Sequence, residues 1–269
     1  MSTEQTMPEH ASEYYPNVSL AAFYGEKPPE FAALILQVQQ QLSTALSDSF
    51  QPNPIERVHA TLIGCEGINT PQGILSRWFQ TRRDEDRSIN FSGFLDYVRR
   101  TPYFPLQVQL GGYRSETDYG FLSQGSHPFQ RSFQFLGNIA VLVGWPFKHQ
   151  KIPLDLDNFR RDCQQFNLLH KYHARPESID NDFYLNIGRL TQKVDESQLE
   201  SISQVVRELL LESKPICLEI GHQQINFVRY WDVSLPLETT EVFNVFEITS
   251  DQLRRLYNNF SVDMGHISR

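Results

Sequence analysis

Cysteine is scarce in this chain of 269 residues: Cys65, Cys163 and Cys217 are the only three. Their wide spacing excludes a disulfide framework and a paired-cysteine metal motif. No run of about 18 apolar residues occurs, which argues against a membrane-spanning helix. Positive charge is also in deficit, with 24 Lys and Arg against 32 Asp and Glu, a net charge of −8 and a pI near 5.5. That balance argues against a general grip on long duplex nucleic acid, which needs a broad basic surface. A small anionic ligand in a locally basic cleft stays compatible with it. The first ten residues are polar and acidic and lack the apolar segment of a secretion signal. The expectation is a cytoplasmic protein with reduced thiols.

What is present is ample apolar material. Hydrophobic residues make up 40% of the chain, including 19 Phe and 11 Tyr, enough to bury a sizeable core. Arg57-Val58-His59-Ala60-Thr61-Leu62-Ile63-Gly64 reads as a strand, led in by Pro52 and Pro54 and left through Gly64 and Gly67. Strand alternation puts Val58, Ala60 and Leu62 on one face and His59, Thr61 and Ile63 on the other. The imidazole and the hydroxyl are then roughly 7 Å apart, close enough for one phosphate to lie across both. A second strand, Phe183-Tyr184-Leu185-Asn186-Ile187-Gly188-Arg189-Leu190, has the same polar–apolar rhythm, with Tyr184 in the place of His59 and Asn186 in that of Thr61.

Along the rest of the chain, residues 1–15 read as a loose polar tail. A short strand spans Val18 to Tyr24, and a helix opens after Pro28-Pro29 and runs from Glu30 to Leu46 with apolar residues at helical spacing. The mixed-charge run Arg82 to Arg87 suits a solvated turn or helix end. Ile89 to Tyr97 fits a strand, a helix or an irregular bridge. Phe104 to Gly112 alternates as a strand, Gln134 to Gly144 suits one central strand, and Leu154 to His170 a helix with Arg160 and Arg161 outward. Val194 to Ser213 is predicted as a helix near an Asp195 cap. Ile216–Ile220, Gln224–Arg229, Asp232–Leu237 and Val242–Thr249 are predicted as strands, and Asp251–Phe260 as a short helix. Cys65 has the parity of His59, but six residues along a strand is about 20 Å, so its role is structural. His170 and His173 have a spacing that could suit a metal, without a Cys, Asp or Glu to complete a ligand set.

His59-Ala60-Thr61-Leu62, together with the outline Tyr184-Leu185-Asn186-Ile187-Gly188-Arg189-Leu190, resembles the two-histidine (2H) phosphoesterase superfamily. That superfamily includes 2′-5′ RNA ligase-like proteins and cyclic phosphodiesterases. The first motif matches fully; in the second, the histidine and the hydroxyl residue are both replaced. The resemblance implies an α+β fold over residues 16–269, a single bilobal domain with two antiparallel sheets lining a central cleft and helices outside. It implies His59 as general acid or base, Thr61 and Asn186 as phosphate contacts, and Tyr184 in the second catalytic place. His173, in the loop leading to the second motif, could supply an imidazole at the cleft mouth. Arg229 lies on either an exposed strand edge or the phosphate cleft, where its fork of donors would be useful. The expected ligand is a cyclic phosphate, a nucleotide, a short RNA end or a related small phosphoester, with no metal or organic cofactor. Two functions stay open: a divergent phosphodiesterase, or a catalytically inactive module that binds a nucleotide, RNA end or protein in the same cleft.

Overall fold

A computed structural model of the protein describes residues 17–258. The polar tail and the end of the expected terminal helix lie outside the described residues. The fold is α+β, with antiparallel strand pairing throughout. Its strands are β1 (Asn17–Ala22), β2 (Phe50–Pro52), β3 (Ala60–Gly64), β4 (Gly67–Thr70), β5 (Gly73–Ser76), β6 (Leu106–Leu110), β7 (Phe133–Leu136), β8 (Ile139–Pro146), β9 (Phe183–Leu190), β10 (Ile216–Ile220), β11 (Ile225–Tyr230) and β12 (Glu241–Asn244). Its helices are α1 (Pro29–Leu46), α2 (Arg77–Arg83), α3 (Phe91–Arg100), α4 (Pro128–Arg131), α5 (Asp155–Asp162), α6 (Glu196–Glu212) and α7 (Ser250–Arg255). One sheet has the order β12-β11-β1-β3. The other runs β10-β6-β8-β9-β2, with β7 also on β8, and β4-β5 is a separate hairpin.

α1 starts with proline in its first turn, where a missing N–H costs nothing. Phe31, Leu34, Ile35, Val38 and Leu42 then form its buried stripe. They share the main core with Leu20, Ala60 and Leu62 of the first sheet and Phe183, Leu185 and Ile187 of the second. Full burial of one such side chain stabilises by about 1.5–3 kcal/mol.

Two strand–helix–strand halves organise the site. β1, α1 and β3 make the first, and β8, α5 and β9 the second; in each, the two strands pair antiparallel. Each half has one register shift, and the shifts match. Ala21 pairs with Thr61 and Leu20 with Ile63, which leaves Leu62 without a partner. Val141 pairs with Asn186 and Ala140 with Gly188, which leaves Ile187 without one. The extra residue thus follows Thr61 in one half and Asn186 in the other. Such a bulge bends its strand and re-aims the side chains beside it.

One open sequence reading is decided and several expectations are corrected. Ile89–Tyr97 resolves into α3, capped by the Asn90 side chain accepting from the Gly93 amide at 3.0 Å. Gln134–Gly144 is two strands, because Gly137 takes a φ of +58° and turns the chain into a hairpin. Asp232–Leu237 is a loop: the Asp232 side chain accepts from the Ser234 amide at 2.7 Å, an Asx turn ahead of Pro236. The last strand stops at Asn244, whose side chain takes the Phe246 amide at 2.9 Å. The Leu154–His170 helix shortens to α5 and a 3-10 turn over Cys163–Phe166. Arg160, expected outward, is 2% exposed.

Candidate functional site

Residues directly opposite each other in an antiparallel pair share a face. Thr61 therefore lies on the face of Ala21, and Tyr184 and Asn186 on that of Val143 and Val141. Neither face belongs to the main core. Ala21 packs in a small cluster with Tyr24, Val228, Tyr230 and Leu235. Val141 and Val143 pack in another with Tyr113, Tyr119, Trp145 and Ile152, against which Tyr184 rests. His59, Thr61, Tyr184 and Asn186 are all partly exposed, while their strand neighbours Val58, Ala60, Leu62, Leu185 and Ile187 are buried. The alternation read from the sequence holds up to the bulge. There it fails for Ile63, which the extra residue turns into the core.

His59 leaves a 3-10 turn over Ile55–Arg57 and is fixed by its own approach to the strand. Its Nδ1 lies 2.7 Å from the Arg57 carbonyl, and the edge of its ring meets Tyr24 with centroids 5.6 Å apart. A carbonyl only accepts, so Nδ1 carries the hydrogen and Nε2 presents a lone pair. Burial pulls the imidazole pKa below its usual value. The Arg57 carbonyl opposes this, while the charges of Lys27 and Arg57 push the same way as burial. His59 is thus a neutral base at neutral pH. Beside it, Tyr24 donates to the Leu235 carbonyl at 3.0 Å and Arg57 to that of Ser234 at 3.1 Å, which ties the 231–240 loop next to the imidazole. Lys27 is occupied by the carbonyls of Phe23 and Gly25, each at 2.9 Å.

Across the second sheet, burial pushes the Tyr184 phenol up to about 12. Neighbouring Tyr172 adds to the shift and Arg131 opposes it. The phenol stays protonated and acts as a donor, not a base. Arg131 is held near it by Asp182 at 2.8 Å, and the same carboxylate accepts from Ser123 Oγ and Trp145 Nε1, each at 2.7 Å. The Asn186 amide oxygen accepts from Asn53 Nδ2 at 3.0 Å and the Gly188 amide at 3.2 Å, so its –NH2 points away from both. Within the described residues, His59 Nε2, the hydroxyls of Thr61 and Tyr184, and the Asn186 –NH2 make no hydrogen bond. One acceptor and three donors are left open.

Two predicted site residues are elsewhere. His173 is not at a cleft mouth but fully buried, with Nε2 2.8 Å from Asp157 Oδ1. The loop that carries it folds back on α5 because the buried Asp157 needs donors. Burial alone would raise that carboxyl's pKa. His173, Arg161 and the Asp180 amide more than reverse the effect and hold it below the usual range. His170 is bound to Asp180 in the same cluster, and among the described residues no group of three or more metal-ligating side chains is arranged to hold an ion. Arg229 is on neither an exposed edge nor the site face. β11 lies between β1 and β12; Arg229 is opposite Val18 on the core face, 1% exposed, and it donates to Glu241 and to the Asn258 carbonyl. Cys65 is buried, and burial pushes its thiol well up, in keeping with a structural role.

Sequence reasoning misses Arg160 and Gln39. Arg160 Nε donates to the Leu62 carbonyl at 2.8 Å and Nη2 to that of Thr61 at 3.0 Å; Nη1 reaches the Asp180 carbonyl at 2.9 Å. Gln39 Nε2 donates to the Ile187 carbonyl at 2.8 Å and to that of Asn53 at 2.7 Å, and Asn53 Nδ2 takes the Asn186 carbonyl at 3.0 Å. A signal exists for Arg160: four residues after Leu156, it falls on the inward stripe of its helix.

No protein-family model matches the chain, and no curated protein does. Among solved structures, it is similar to the crystal structure of TT0787 of Thermus thermophilus. The identity there is 10% and the TM-score 0.38, over 85% of this chain and 97% of that one. It is also similar to ATU0111 of Agrobacterium tumefaciens, a conserved protein of unknown function. That match has 12% identity and a TM-score of 0.43, over 85% of this chain and 90% of the other.

Proposed function

We propose that the chain is a divergent 2H-type phosphodiesterase with a bilobal arrangement, acting without a metal on a cyclic phosphate, a short oligonucleotide or a related small phosphoester. The observation that carries this reading is the set of four open groups, one base and three donors, at the same offsets from the same bulge in two motif segments, His59 just ahead of β3 and the others within β3 and β9. An anionic phosphate offers the acceptors that Thr61, Asn186 and Tyr184 lack. His59 Nε2 takes the proton of the attacking water or hydroxyl as its oxygen bonds to phosphorus. Tyr184 gives its phenolic proton to the leaving oxygen as that P–O bond breaks. An alkoxide is more basic than a phenolate, so the transfer runs downhill even from a phenol near 12. Solvent then returns the proton from imidazolium to phenolate.

One observation favours binding without turnover as the second reading. The three donors are neutral, and the nearby cations Arg131, Lys27 and Arg57 are already held by Asp182 and by main-chain carbonyls. The transition-state charge would then be less well stabilised than with a free cation. Phosphorus NMR on 2′,3′-cyclic nucleotides and on short 2′-5′ and 3′-5′ oligonucleotides tests both. Wild type is expected to release phosphomonoesters or new oligonucleotide ends, and His59→Ala to lose about 10²- to 10⁴-fold in rate. Turnover retained in His59→Ala refutes the enzyme reading. Ligand broadening without product, weakened by His59→Ala, supports the binding module.

A further inference from the structure

β3 and β9 approach with Cα atoms within 8 Å of each other, yet they belong to different sheets and no ladder joins them. Something else must fix His59 and Thr61 relative to Tyr184 and Asn186. The bulges create the opportunity. Each leaves a residue out of register with its partner strand, Leu62 in β3 and Ile187 in β9; the Ile187 carbonyl takes the Asn53 amide at 3.0 Å, and a buried carbonyl without any donor costs about 1–3 kcal/mol.

Side-chain donors reach both carbonyls crosswise. α5 precedes β9 in the chain, but its Arg160 reaches Leu62 and Thr61 of β3. α1 precedes β3, but its Gln39 reaches Ile187 of β9. Each helix therefore secures the motif strand of the other half. Arg160 also grips the carbonyls of Asp180, at 2.9 Å, and Asp182, at 3.3 Å, so one planar guanidinium joins β3 to the segment that enters β9. Its charge is matched by the Asp180 carboxylate at 3.4 Å. Gln39 likewise bridges Ile187 to Asn53, whose side chain holds the main chain and the amide of Asn186. Both side chains are buried, at 2% and 6% exposure, so solvent does not compete for these bonds.

We propose that Arg160 and Gln39 are positioning residues: crossed braces that lock the two bulged motif strands together and thereby set the spacing of His59 and Thr61 against Tyr184 and Asn186. The functional consequence rests on the phosphoester reading above; the mechanical coupling does not. A lysine keeps the charge opposite Asp180 but lacks the flat fork needed to meet several carbonyls at once. Methionine in place of Gln39 keeps the length and removes the donors.

The test is NMR of the ligand-free protein, following the His59 ring midpoint and the side-chain amide resonance of Asn186. Arg160→Lys and Gln39→Met are each expected to move both signals, and to raise the His59 midpoint towards 6.5 as water gains access. Leu253→Ala, a core truncation in α7, which packs on α3, is the control for general loss of stability and is expected to move neither. Should Arg160→Lys not fold, Gln39→Met carries the test alone. Signals that stay in place in the braced variants, or that move equally in Leu253→Ala, overturn the proposal. In a second arm, phosphoester turnover or binding in Arg160→Lys is expected to fall at least ten-fold. A wild type inert to every phosphoester removes the functional reading but leaves the coupling in the free protein to be decided by the first arm.

Discussion

Tyr184 lies inside β9 and His59 just ahead of β3, each two residues before the residue that precedes the bulge, and their surroundings push them into different roles. Burial depresses one pKa and raises the other, so at neutral pH the imidazole is a free base and the phenol an undissociated acid. On the phosphodiesterase reading proposed above, the rate should follow. Because the base must be neutral, kcat/KM is expected to rise with pH through a midpoint below 6.5 and then stay level to at least pH 9, since the phenol holds its proton to about 12. Tyr184→Phe should keep the rising limb and lose roughly 10²- to 10⁴-fold in rate. A profile measured from pH 4.5 to 9 decides this. A falling limb near neutrality, or Tyr184→Phe at wild-type rate, would remove Tyr184 from the proton transfer. At this scale the sequence is informative where side-chain parity alone decides the outcome, as for His59, Thr61, Tyr184 and Asn186. It misleads where a long-range partner decides. The sequence suggests an open position for His173 because its tie to Asp157, sixteen residues back, leaves no local trace.

At the scale of elements, the helices are readable because α1 and α6 announce themselves by apolar spacing, a leading Pro29 and the Asp195 cap. The bulges are not. Adding one residue to a strand costs nothing visible in Thr61-Leu62-Ile63 or Asn186-Ile187-Gly188; it shows only once a partner strand is in register. Gly188 gives the second bulge its mechanical meaning. A Cβ built there would meet the Phe50 ring and come within 2.7 Å of the Gln51 carbonyl, so β2 can close on β9 only over a glycine. Gly188→Ala is therefore expected to destabilise by about 1–3 kcal/mol, the usual cost of overpacking. It should also push Asn186 off its Gly188 amide contact. Urea denaturation with the Asn186 side-chain amide as a second reporter measures both. An alanine variant as stable as wild type would mean that β2 yields easily and does not press on the site.

For the molecule as a whole, the second half carries a buried polar cluster of His170, His173, Asp157, Asp180, Arg160 and Arg161, from which Arg160 reaches β3 of the first half. Such a cluster makes stability depend on pH, and the direction can be worked out. His170 is buried against Asp180 with Arg160 nearby; burial first, and then that positive charge, bring its pKa down to about 4 from an ordinary 6.5. Between those values the unfolded chain binds a proton that the folded one refuses, so stability falls as pH falls. The contribution is complete above 6.5 and is lost as pH drops through about 4, a difference on the order of 3 kcal/mol. His59 acts in the same direction. Asp157 and Asp180, both held below the usual carboxylate range, give up their share only below about 3.8, outside this window. Unfolding free energies from urea titrations at pH 7.0, 5.5 and 4.5 should therefore decline steadily. His170→Asn, which can still donate to Asp180 but cannot titrate, should flatten most of the slope while lowering stability at pH 7. If the slope persists in His170→Asn, the acid sensitivity originates elsewhere and not in the buried His170–Asp180 pair.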